Sequence, residues 1–319
     1  MTILIFGMTG QDGGFLAERL IKEGKSVHGT SRSLSNLRNL KRLKIENKIQ
    51  IHKCDTANKL HIDKIINHLK PKEIYNLGGQ TSVGQSFLKP VLTYELNTLS
   101  TIYMLESIRK AKFETKFYNA GSSEIFGNTL KKGANEETFY NPLSPYALSK
   151  ANSIDLVKFY RDTFGIFAVS GILFNHESHL RGDNFVTQKI ISSAAKIKTG
   201  SLNKLELGNL QVWRDWGWAP EFVEAMTLMM KTNEPQDFVI GTGKATLLEN
   251  FVQSVFDFFD LKWENFVHIN KDFYRPSDIS FSKADPSKAN DILNWKSNTS
   301  VEEIITKMCE FKVSNKYLD

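Results

Sequence analysis

The chain has 319 residues, of which 41% are hydrophobic and 24% are charged, a composition typical of a soluble globular protein with a sizeable core. It has no apolar run long enough to span a bilayer, and its two cysteines are too few for a disulfide framework, so we expect a cytoplasmic protein without a membrane partner. The formal net charge of +6 suits a nucleic acid or a small polyanion. Since no nucleic-acid motif accompanies it, we expect the small polyanion.

The first half of the chain alternates strands with helices. The predicted strands are 2–6, 26–30, 49–53, 73–77, 116–120 and 167–174. The predicted helices are one ending near residue 25, a short leucine-striped one after the second strand, and 60–69, 91–111 and 145–164. This alternation predicts an α/β fold of the Rossmann type, a doubly wound parallel sheet covered on both faces.

From about residue 175 the pattern becomes irregular. The predicted helices there are 184–198, 220–231, 247–259 and 301–310, separated by short strands and loops. We therefore predict a main domain over 1–174 and a smaller C-terminal α+β lobe over 175–319, with some later segments returning to the first domain.

Glycines at positions 7, 10 and 13 lie between the first strand and the first helix. Glycine allows a tight turn and a close approach of the backbone to a pyrophosphate, and the helix N-terminus supplies N–H donors. This placement predicts a dinucleotide cofactor. The predicted contacts are Gly7, Thr9, Gly10, Gln11, Asp12 and Gly13.

The identity of the cofactor depends on the residues after the second strand. An NAD site usually offers an acidic residue about 20 residues beyond the glycines, for the ribose 2′-hydroxyl. Here the stretch 30–33 contains no acid, and Arg32 can pair with a 2′-phosphate, with Arg38 as a second candidate. We therefore predict NADP; the alternative is that Arg32 is a surface residue. Asp55 is a candidate acceptor for the adenine amino group, or else a turn or helix cap.

Four residues form the predicted catalytic set. Tyr146 and Lys150 are four residues apart on a predicted helix and share one face, and Ser122 and Glu124 follow the fifth strand. An ammonium beside a phenol favours the phenolate and lowers its pKa, so that tyrosine can act as a base. The carboxylate of Glu124 adds a second acid or base, which predicts chemistry beyond the transfer of one proton and one hydride.

The order of these features resembles the extended short-chain dehydrogenase/reductase family, whose members often act on nucleotide sugars. Further segments resemble the GDP-mannose 4,6-dehydratases within it. They are 10–13, 16–18, 75–78, 144–147, 172–178, 181–182, 185–187, 207–209, 214–216 and 275–276. The resemblance spans nearly the whole chain and is most specific at 174–178 and 214–216.

The resemblance implies a mechanism. Tyr146 would remove the C4-hydroxyl proton of GDP-mannose as the C4 hydride passes to NADP, with Lys150 holding Tyr146 and the ribose and Ser122 bonding the C4 oxygen. Glu124 would then take the C5 proton, water would leave from C6, and the hydride would return to C6. The NADP would stay bound, in the domain at 1–174, and the lobe at 175–319 would bind the nucleotide sugar.

The resemblance also implies the remaining site residues. Those expected to hold the GDP-sugar are Asn175, Lys189, Arg214 and Arg275, with Ser82 and Ser86 near the sugar and Leu77 and Gln80 near the cofactor. Lysine and arginine suit a diphosphate. No metal-binding spacing is present around His176 and Glu177, so we predict no metal site.

Some features leave alternatives open. Ser122 stands where the family usually has threonine, and the segment between the second and third strands is shorter than usual, which leaves a homo-oligomer that is either a dimer or a tetramer. A GDP-heptose 4,6-dehydratase or a GDP-4-keto-6-deoxymannose reductase is the nearest alternative function. A non-catalytic nucleotide-sugar-binding or RNA-binding protein is the alternative from another class.

Overall fold

The computed structural model describes residues 1–314. The strands are β1 (Thr2–Phe6), β2 (Ser26–Ser31), β3 (Gln50–Lys53), β4 (Glu73–Asn76), β5 (Lys116–Ala120), β6 (Ala168–Leu173), β7 (Asn175–Glu177), β8 (Leu205–Leu207), β9 (Trp213–Arg214), β10 (Trp216–Trp218), β11 (Phe238–Ile240), β12 (Thr246–Leu247) and β13 (Val267–Ile269). The helices are α1 (Gln11–Lys22), α2 (Arg38–Arg42), α3 (Lys59–Leu69), α4 (Val83–Leu88), α5 (Pro90–Tyr94), α6 (Ser100–Lys110), α7 (Pro145–Phe164), α8 (Val186–Lys198), α9 (Ala219–Met229), α10 (Leu248–Phe258), α11 (Ser287–Leu293) and α12 (Val301–Ser314).

Seven of these strands form one parallel sheet, in the order β11-β6-β5-β4-β1-β2-β3. The chain adds strands outward from β1 to β3 and then crosses back to place β4 on the other side of β1. The strand order therefore reverses between β1 and β4. Such a switch point opens a crevice at the carboxyl ends of the strands, where ligands bind in open α/β sheets. The predicted Rossmann-type, doubly wound fold is confirmed, and each of the six predicted strands forms part of this sheet.

Alternate residues of each central strand fill cores on the two faces of the sheet. On one face, Ile3 and Ile5 of β1 pack in a cluster with α1 and α9. On the other face, Leu4 and Phe6 pack in a cluster with α3, α6 and α7. Because β1 is buried on both faces, it is an unbroken hydrophobic run, as is usual for parallel sheets.

The chain after β6 contributes both to a second core and to the main sheet. The second core joins α8, α10 and α12, with Ile191, Phe251 and Ile304 among its buried residues. By contrast, β11 pairs with β6 at the edge of the main sheet, and α9 packs on α1. No helix within residues 1–314 is both long and apolar enough to cross a membrane.

The predicted helix at 91–111 is not a single regular α-helix. α5 and α6 are joined by a π-helical turn at Glu95–Leu99. Within that turn, the Asn97 amide donates to Gln80 O and to Ser149 Oγ, both at 3.0 Å, and its carbonyl accepts from Gln80 N. A π-helical turn contains one residue more than an α-helical turn, and here it places the Asn97 side chain against the loop after β4. Helices α4 and α11 were not predicted from the sequence.

Candidate active site

A cleft of about 430 Å³ lies at the carboxyl ends of the central strands, between the main sheet and the second core. Most of the predicted catalytic and substrate-binding residues line it. They are Ser82, Ser122, Glu124, Tyr146, Lys150, Asn175, Lys189, Arg214 and Arg275, together with Leu77 and Asp12 from the predicted cofactor set.

Helix α7 positions the tyrosine and the lysine. Ser144 caps its N-terminus, where Ser144 Oγ accepts from Ala147 N at 3.0 Å, and Pro145 occupies the first turn. Tyr146 and Lys150 are both buried on one face of this helix, and Lys150 Nζ donates to Ala120 O at 2.8 Å, at the end of β5. The helix start and the strand end thus fix both side chains beside the cleft.

Burial dominates the protonation of this pair. It raises the pKa of Tyr146 to about 12, against an opposing hydrogen bond with Ser122. It also lowers the pKa of Lys150 to about 8. The sequence predicted a lowered pKa for Tyr146. That prediction is wrong, because desolvation outweighs the hydrogen bond with Ser122 and because the Lys150 ammonium donates to a carbonyl.

Glu124 lies in a 3-10 turn, Ser123–Phe126, directly after β5. Ser122 Oγ caps this turn by accepting from Glu124 N at 3.3 Å, so the same hydroxyl contacts both Glu124 and Tyr146. Burial raises the pKa of the Glu124 carboxyl, although the positive charges of Arg214 and Arg275 oppose that shift. Such a carboxyl can exchange a proton closer to neutral pH than an exposed one can.

Three cations form the opposite wall of the cleft. The buried Arg214 donates from Nη1 to Ile279 O at 2.6 Å, and its Nη2 lies 3.3 Å from Asp278 Oδ1. The more exposed Arg275 lies 3.7 Å from the same oxygen. Lys189 Nζ donates to the Glu206 carbonyl at 2.7 Å. These cations face the cleft that holds Glu124, as a diphosphate ligand requires.

The glycine loop after β1 fits a dinucleotide. Gly7 has φ +79°, and a Cβ on Gly13 would lie 2.5 Å from Gly7 O, so both positions require glycine. Helix α1 begins after Gly10 with no side-chain cap, which leaves the N–H groups of its first turn available to a pyrophosphate.

The side chains of Gln11 and Asp12 are engaged within the protein, so only their backbone N–H groups are open to a cofactor. Gln11 Nε2 donates to His176 O at 3.1 Å, and Ser178 Oγ donates to Gln11 Oε1 at 2.7 Å. Asp12 Oδ2 lies 3.0 Å from His176 Nε2. These contacts tie the start of α1 to the segment 176–178.

The remaining cofactor candidates lie around the second and third strands. Arg32 is exposed in the loop after β2, whereas Arg38 pairs with Asp183 at 2.8 Å. The Asp55 side chain accepts from Ala57 N at 3.1 Å, so it forms the turn cap that was its alternative role. Thr9 O accepts from the Asn39 amide at 3.2 Å, which fixes the glycine loop against α2.

Among the residues predicted in and after the loop that follows β4, Ser86 and Gln80 do not line the cleft. Ser86 is fully buried, and its hydroxyl donates to Val83 O at 2.6 Å, within α4. The Gln80 amide donates to Ser82 O at 2.9 Å and to Thr93 Oγ1 at 3.1 Å. Both side chains therefore brace the loop after β4 that carries Ser82, and their contact with a ligand stays a prediction.

Sequence reasoning missed two contributors to the cleft. Asp278 contacts both cleft arginines, and Arg181 lies with its Nε 3.1 Å from the Glu177 carboxylate and its guanidinium over the Phe185 ring. The segments around both residues carried the family resemblance. The partners of Arg181 lie four residues before and after it, whereas Arg214 lies 64 residues from Asp278 and leaves no local signal. Among residues 1–314, no group of three or more His, Cys, Asp or Glu side chains could hold a metal ion.

Solved structures with low sequence identity share the fold. UDP-glucose 4-epimerase from Thermotoga maritima has a TM-score of 0.88 and 20% identity, with 100% of both chains covered. dTDP-glucose 4,6-dehydratase from Bacillus anthracis, in complex with NAD, has a TM-score of 0.86 and 17% identity, with 99% of this chain and 97% of that chain covered. RMD from Pseudomonas aeruginosa, complexed with NADPH, has a TM-score of 0.82 and 19% identity, with 98% of this chain and 99% of that chain covered.

The fold and the cleft define a doubly wound α/β protein of the Rossmann type, with a ligand cleft at the carboxyl ends of its parallel strands. Residues 4–308 match the family model described as GDP-mannose 4,6 dehydratase. GDP-mannose 4,6 dehydratase 2 of Arabidopsis thaliana is 38% identical, with 96% of this chain and 85% of the relative covered. GDP-mannose 4,6 dehydratase of Homo sapiens is also 38% identical, with 96% of this chain and 89% of the relative covered. The chain belongs to the GDP-mannose 4,6-dehydratase family and is a nucleotide-sugar 4,6-dehydratase.

Proposed function

We propose that this protein converts GDP-D-mannose to GDP-4-keto-6-deoxy-D-mannose and one water, with a retained NADP. The observation that carries the proposal is the position of Glu124, a half-buried carboxyl with a raised pKa in the same cleft as Tyr146 and Lys150. A simple dehydrogenase needs the tyrosine and the lysine, whereas an elimination needs a further acid or base. Family membership favours this dehydration over the reductase alternative.

The first step is loss of the proton from the C4 hydroxyl. Tyr146 takes that proton, and Ser122, whose hydroxyl contacts Tyr146, holds the C4 oxygen in reach. The Lys150 ammonium stabilises the phenolate form of Tyr146 that accepts this proton, which opposes the effect of burial on the tyrosine pKa. A bound NADP would supply the acceptor for the C4 hydride and the source of the hydride that C6 receives.

The second step is elimination of water. The C4 ketone acidifies the C5 hydrogen, and Glu124 takes it as a proton. The same carboxyl then protonates the C6 hydroxyl, which leaves as water. Once a hydride has added to C6, C5 takes up one proton and Tyr146 gives up the proton from the C4 hydroxyl, so the protons balance over the cycle. Because burial holds the pKa of Glu124 above its usual value, one carboxyl can serve as base and then as acid.

The substrate is held through its diphosphate by the basic wall. Arg214 is fixed by its bonds to Ile279 O and Asp278, Lys189 is held by its bond to Glu206 O, and Arg275 is the more exposed partner. Charge-assisted bonds to phosphate oxygens are stronger than neutral ones. Asn175, at the start of β7, completes this side of the cleft.

One or two residues each support NADP as the cofactor, a homo-oligomer and a cytoplasmic location. Arg32 supports NADP because it follows β2 and is exposed to a 2′-phosphate. Leu88 and Val91 support a homo-oligomer, since these large apolar side chains are 74% and 71% exposed. The buried free thiols Cys54 and Cys309 support a reducing, cytoplasmic location.

The proposal is tested by incubating the purified protein with GDP-mannose, NADP and no reductant. Mass spectrometry should show a product lighter by one water, with NADP unconsumed at the end. No loss of water from GDP-mannose, together with consumption of NADPH when GDP-4-keto-6-deoxymannose and NADPH are supplied instead, would indicate the reductase alternative. Turnover of a GDP-heptose in preference to GDP-mannose would indicate the heptose alternative.

A variant of Glu124 tests the role that we propose for this carboxyl. Glu124→Gln keeps the size of the side chain but removes the acid and base, so we expect the rate of water loss to fall by about 10² to 10⁴-fold. GDP-mannose binding, measured by calorimetry, should be unchanged within about threefold, since the basic wall is intact. Full dehydration by this variant would contradict the role of Glu124.

A further inference from the structure

His176 uses both nitrogens of its ring. Nδ1 lies 2.7 Å from Phe174 O, and Nε2 lies 3.0 Å from the Asp12 carboxylate. The side chain is buried, and its ring stacks on Phe222 with centroids 4.6 Å apart. The dehydration mechanism gives this histidine no role.

The hydrogen bonds determine the charge of the ring. A carbonyl and a carboxylate only accept hydrogen bonds, so both nitrogens must donate, and a ring that donates twice is an imidazolium. Burial alone would lower the pKa of His176, but the attraction of Asp12 and its hydrogen bond outweigh that effect and raise it. On Asp12, burial is likewise outweighed by His176, so the pKa of that carboxyl is lowered.

The position of Asp12 gives this pair a consequence for ligands. Asp12 lies in the first turn of α1, whose open N–H groups face the proposed pyrophosphate. An unpaired carboxylate there would repel a phosphate and cancel the attraction of the helix terminus. The negative charge of Asp12 also acts to raise the pKa of Tyr146.

We propose that His176 is a positioning residue for the cofactor: it neutralises Asp12 beneath the pyrophosphate and locks the glycine loop to β7. The lock includes the bond from Gln11 to His176 O, and β7 carries Asn175 at the substrate face. His176 thus sets the spacing between the proposed cofactor site at the glycine loop and the proposed substrate site beside β7. This inference rests on the proposed placement of the dinucleotide at the glycine loop.

Binding of NADPH, followed by fluorescence, tests the charge role directly. His176→Gln retains a donor for Asp12 but loses the positive charge, so we expect NADPH affinity to fall by about tenfold. The double variant Asp12→Asn with His176→Gln removes both charges and should recover affinity to within about threefold of the original protein. A double variant that binds no better than His176→Gln would overturn the proposal.

A variant that changes the packing around His176 separates the effect of the histidine charge from an effect on stability. Phe222→Leu removes the ring that stacks on His176 and leaves both charges in place. It should lower the melting temperature and leave NADPH affinity unchanged. If it weakens NADPH binding as much as His176→Gln does, His176 acts through packing alone.

The pH dependence gives an independent readout. The charged and titratable groups around the pair are Arg181, which acts on both members, and the phenols of Tyr118 and Tyr146, which face Asp12. Because the folded pKa of His176 is raised, its charged pairing with Asp12 persists above the ordinary pKa of histidine and is lost as pH rises through the folded pKa. NADPH affinity should fall over that window in the original protein and stay flat in His176→Gln, and a flat profile in both would contradict the inference. Normal NADPH binding without dehydration of GDP-mannose would count against the proposed function and not against this inference.

Discussion

Lys150 holds an ammonium group in a buried position, where one carbonyl, Ala120 O, accepts from it at 2.8 Å. Burial lowers the pKa of this lysine from its ordinary value of 10.5 to about 8. The folded protein therefore binds this proton less tightly than the unfolded chain does. Below pH 8 the charged lysine opposes folding, by about 3 kcal/mol from the size of that shift. Catalytic residues often carry such a cost in stability.

Replacement of this lysine by an apolar residue of similar length should stabilise the protein. Lys150→Met removes the buried charge and also the bond to Ala120 O, so we expect a net gain of about 1–3 kcal/mol in the free energy of unfolding at pH 7. The stability of the original protein should rise relative to the variant as pH increases from 8 towards 10.5, where the unfolded chain binds more protons. Urea unfolding of both proteins at several pH values measures this.

The variant should lack dehydratase activity at every pH, because methionine cannot orient Tyr146. A variant that is less stable than the original protein at pH 7, or a difference that does not change with pH, would show that the ammonium group is well solvated in solution.

At the scale of elements, the start of α7 connects capping to catalysis. Ser144 caps the helix, and Tyr146 follows within the first turn. Ser144→Ala should lower the free energy of unfolding by about 1 kcal/mol, and frayed ends at this turn should lower the dehydration rate further. Urea unfolding and a rate assay on one preparation measure both effects.

Asn58 provides the matched control, since it caps α3 by accepting from Leu60 N and His61 N, away from the cleft. Asn58→Ala should lose a similar free energy of unfolding with an unchanged dehydration rate. Equal rate losses in the two variants would mean that capping acts through global stability and not through the placement of Tyr146.

Elements were predictable from sequence where local signals agree. Ser144-Pro145 before an apolar pattern predicts the start of α7, and β1 reads as an unbroken hydrophobic run. The π turn at Glu95–Leu99 was not predictable, because it is selected by the bonds of Asn97 to Gln80 and Ser149. Such partners are distant in sequence and leave no periodic pattern.

At the scale of the molecule, the cleft is assembled from both cores. Tyr146 and Glu124 come from the main sheet, whereas Arg214 and Arg275 come from later segments. The family resemblance predicted most of these residues, because their types occur at matching positions along the whole chain. The supporting bonds of Ser86 and Gln80 were not predictable, since only packing decides whether a hydroxyl or an amide contacts a neighbouring carbonyl.

A ligand that contacts the late segments should stabilise the whole molecule. GDP at about 100 times its dissociation constant is expected to add roughly 2.7 kcal/mol to the free energy of unfolding. Arg275→Ala should reduce that gain by about half and leave the unliganded protein unchanged, since Arg275 is exposed and only 3.7 Å from Asp278. Thermal unfolding with and without GDP measures both quantities.

Lys204→Ala is the control, because Lys204 is an exposed cation paired with Glu206 but does not line the cleft. Its response to GDP should equal that of the original protein. An equal loss of the GDP response in both variants would mean that GDP is held by general surface charge.

The pairing of β11 with β6 also governs how the protein forms during synthesis. Until Phe238–Ile240 leaves the ribosome, β6 is an unprotected edge whose hydrogen-bonding groups are open to other chains. Synthesis at about 5–20 residues per second leaves that edge exposed for several seconds while the intervening segments are made. A nascent chain that ends before β11 therefore carries a strand rich in apolar residues with no neighbour, and truncation there should lead to aggregation and not to a smaller folded domain.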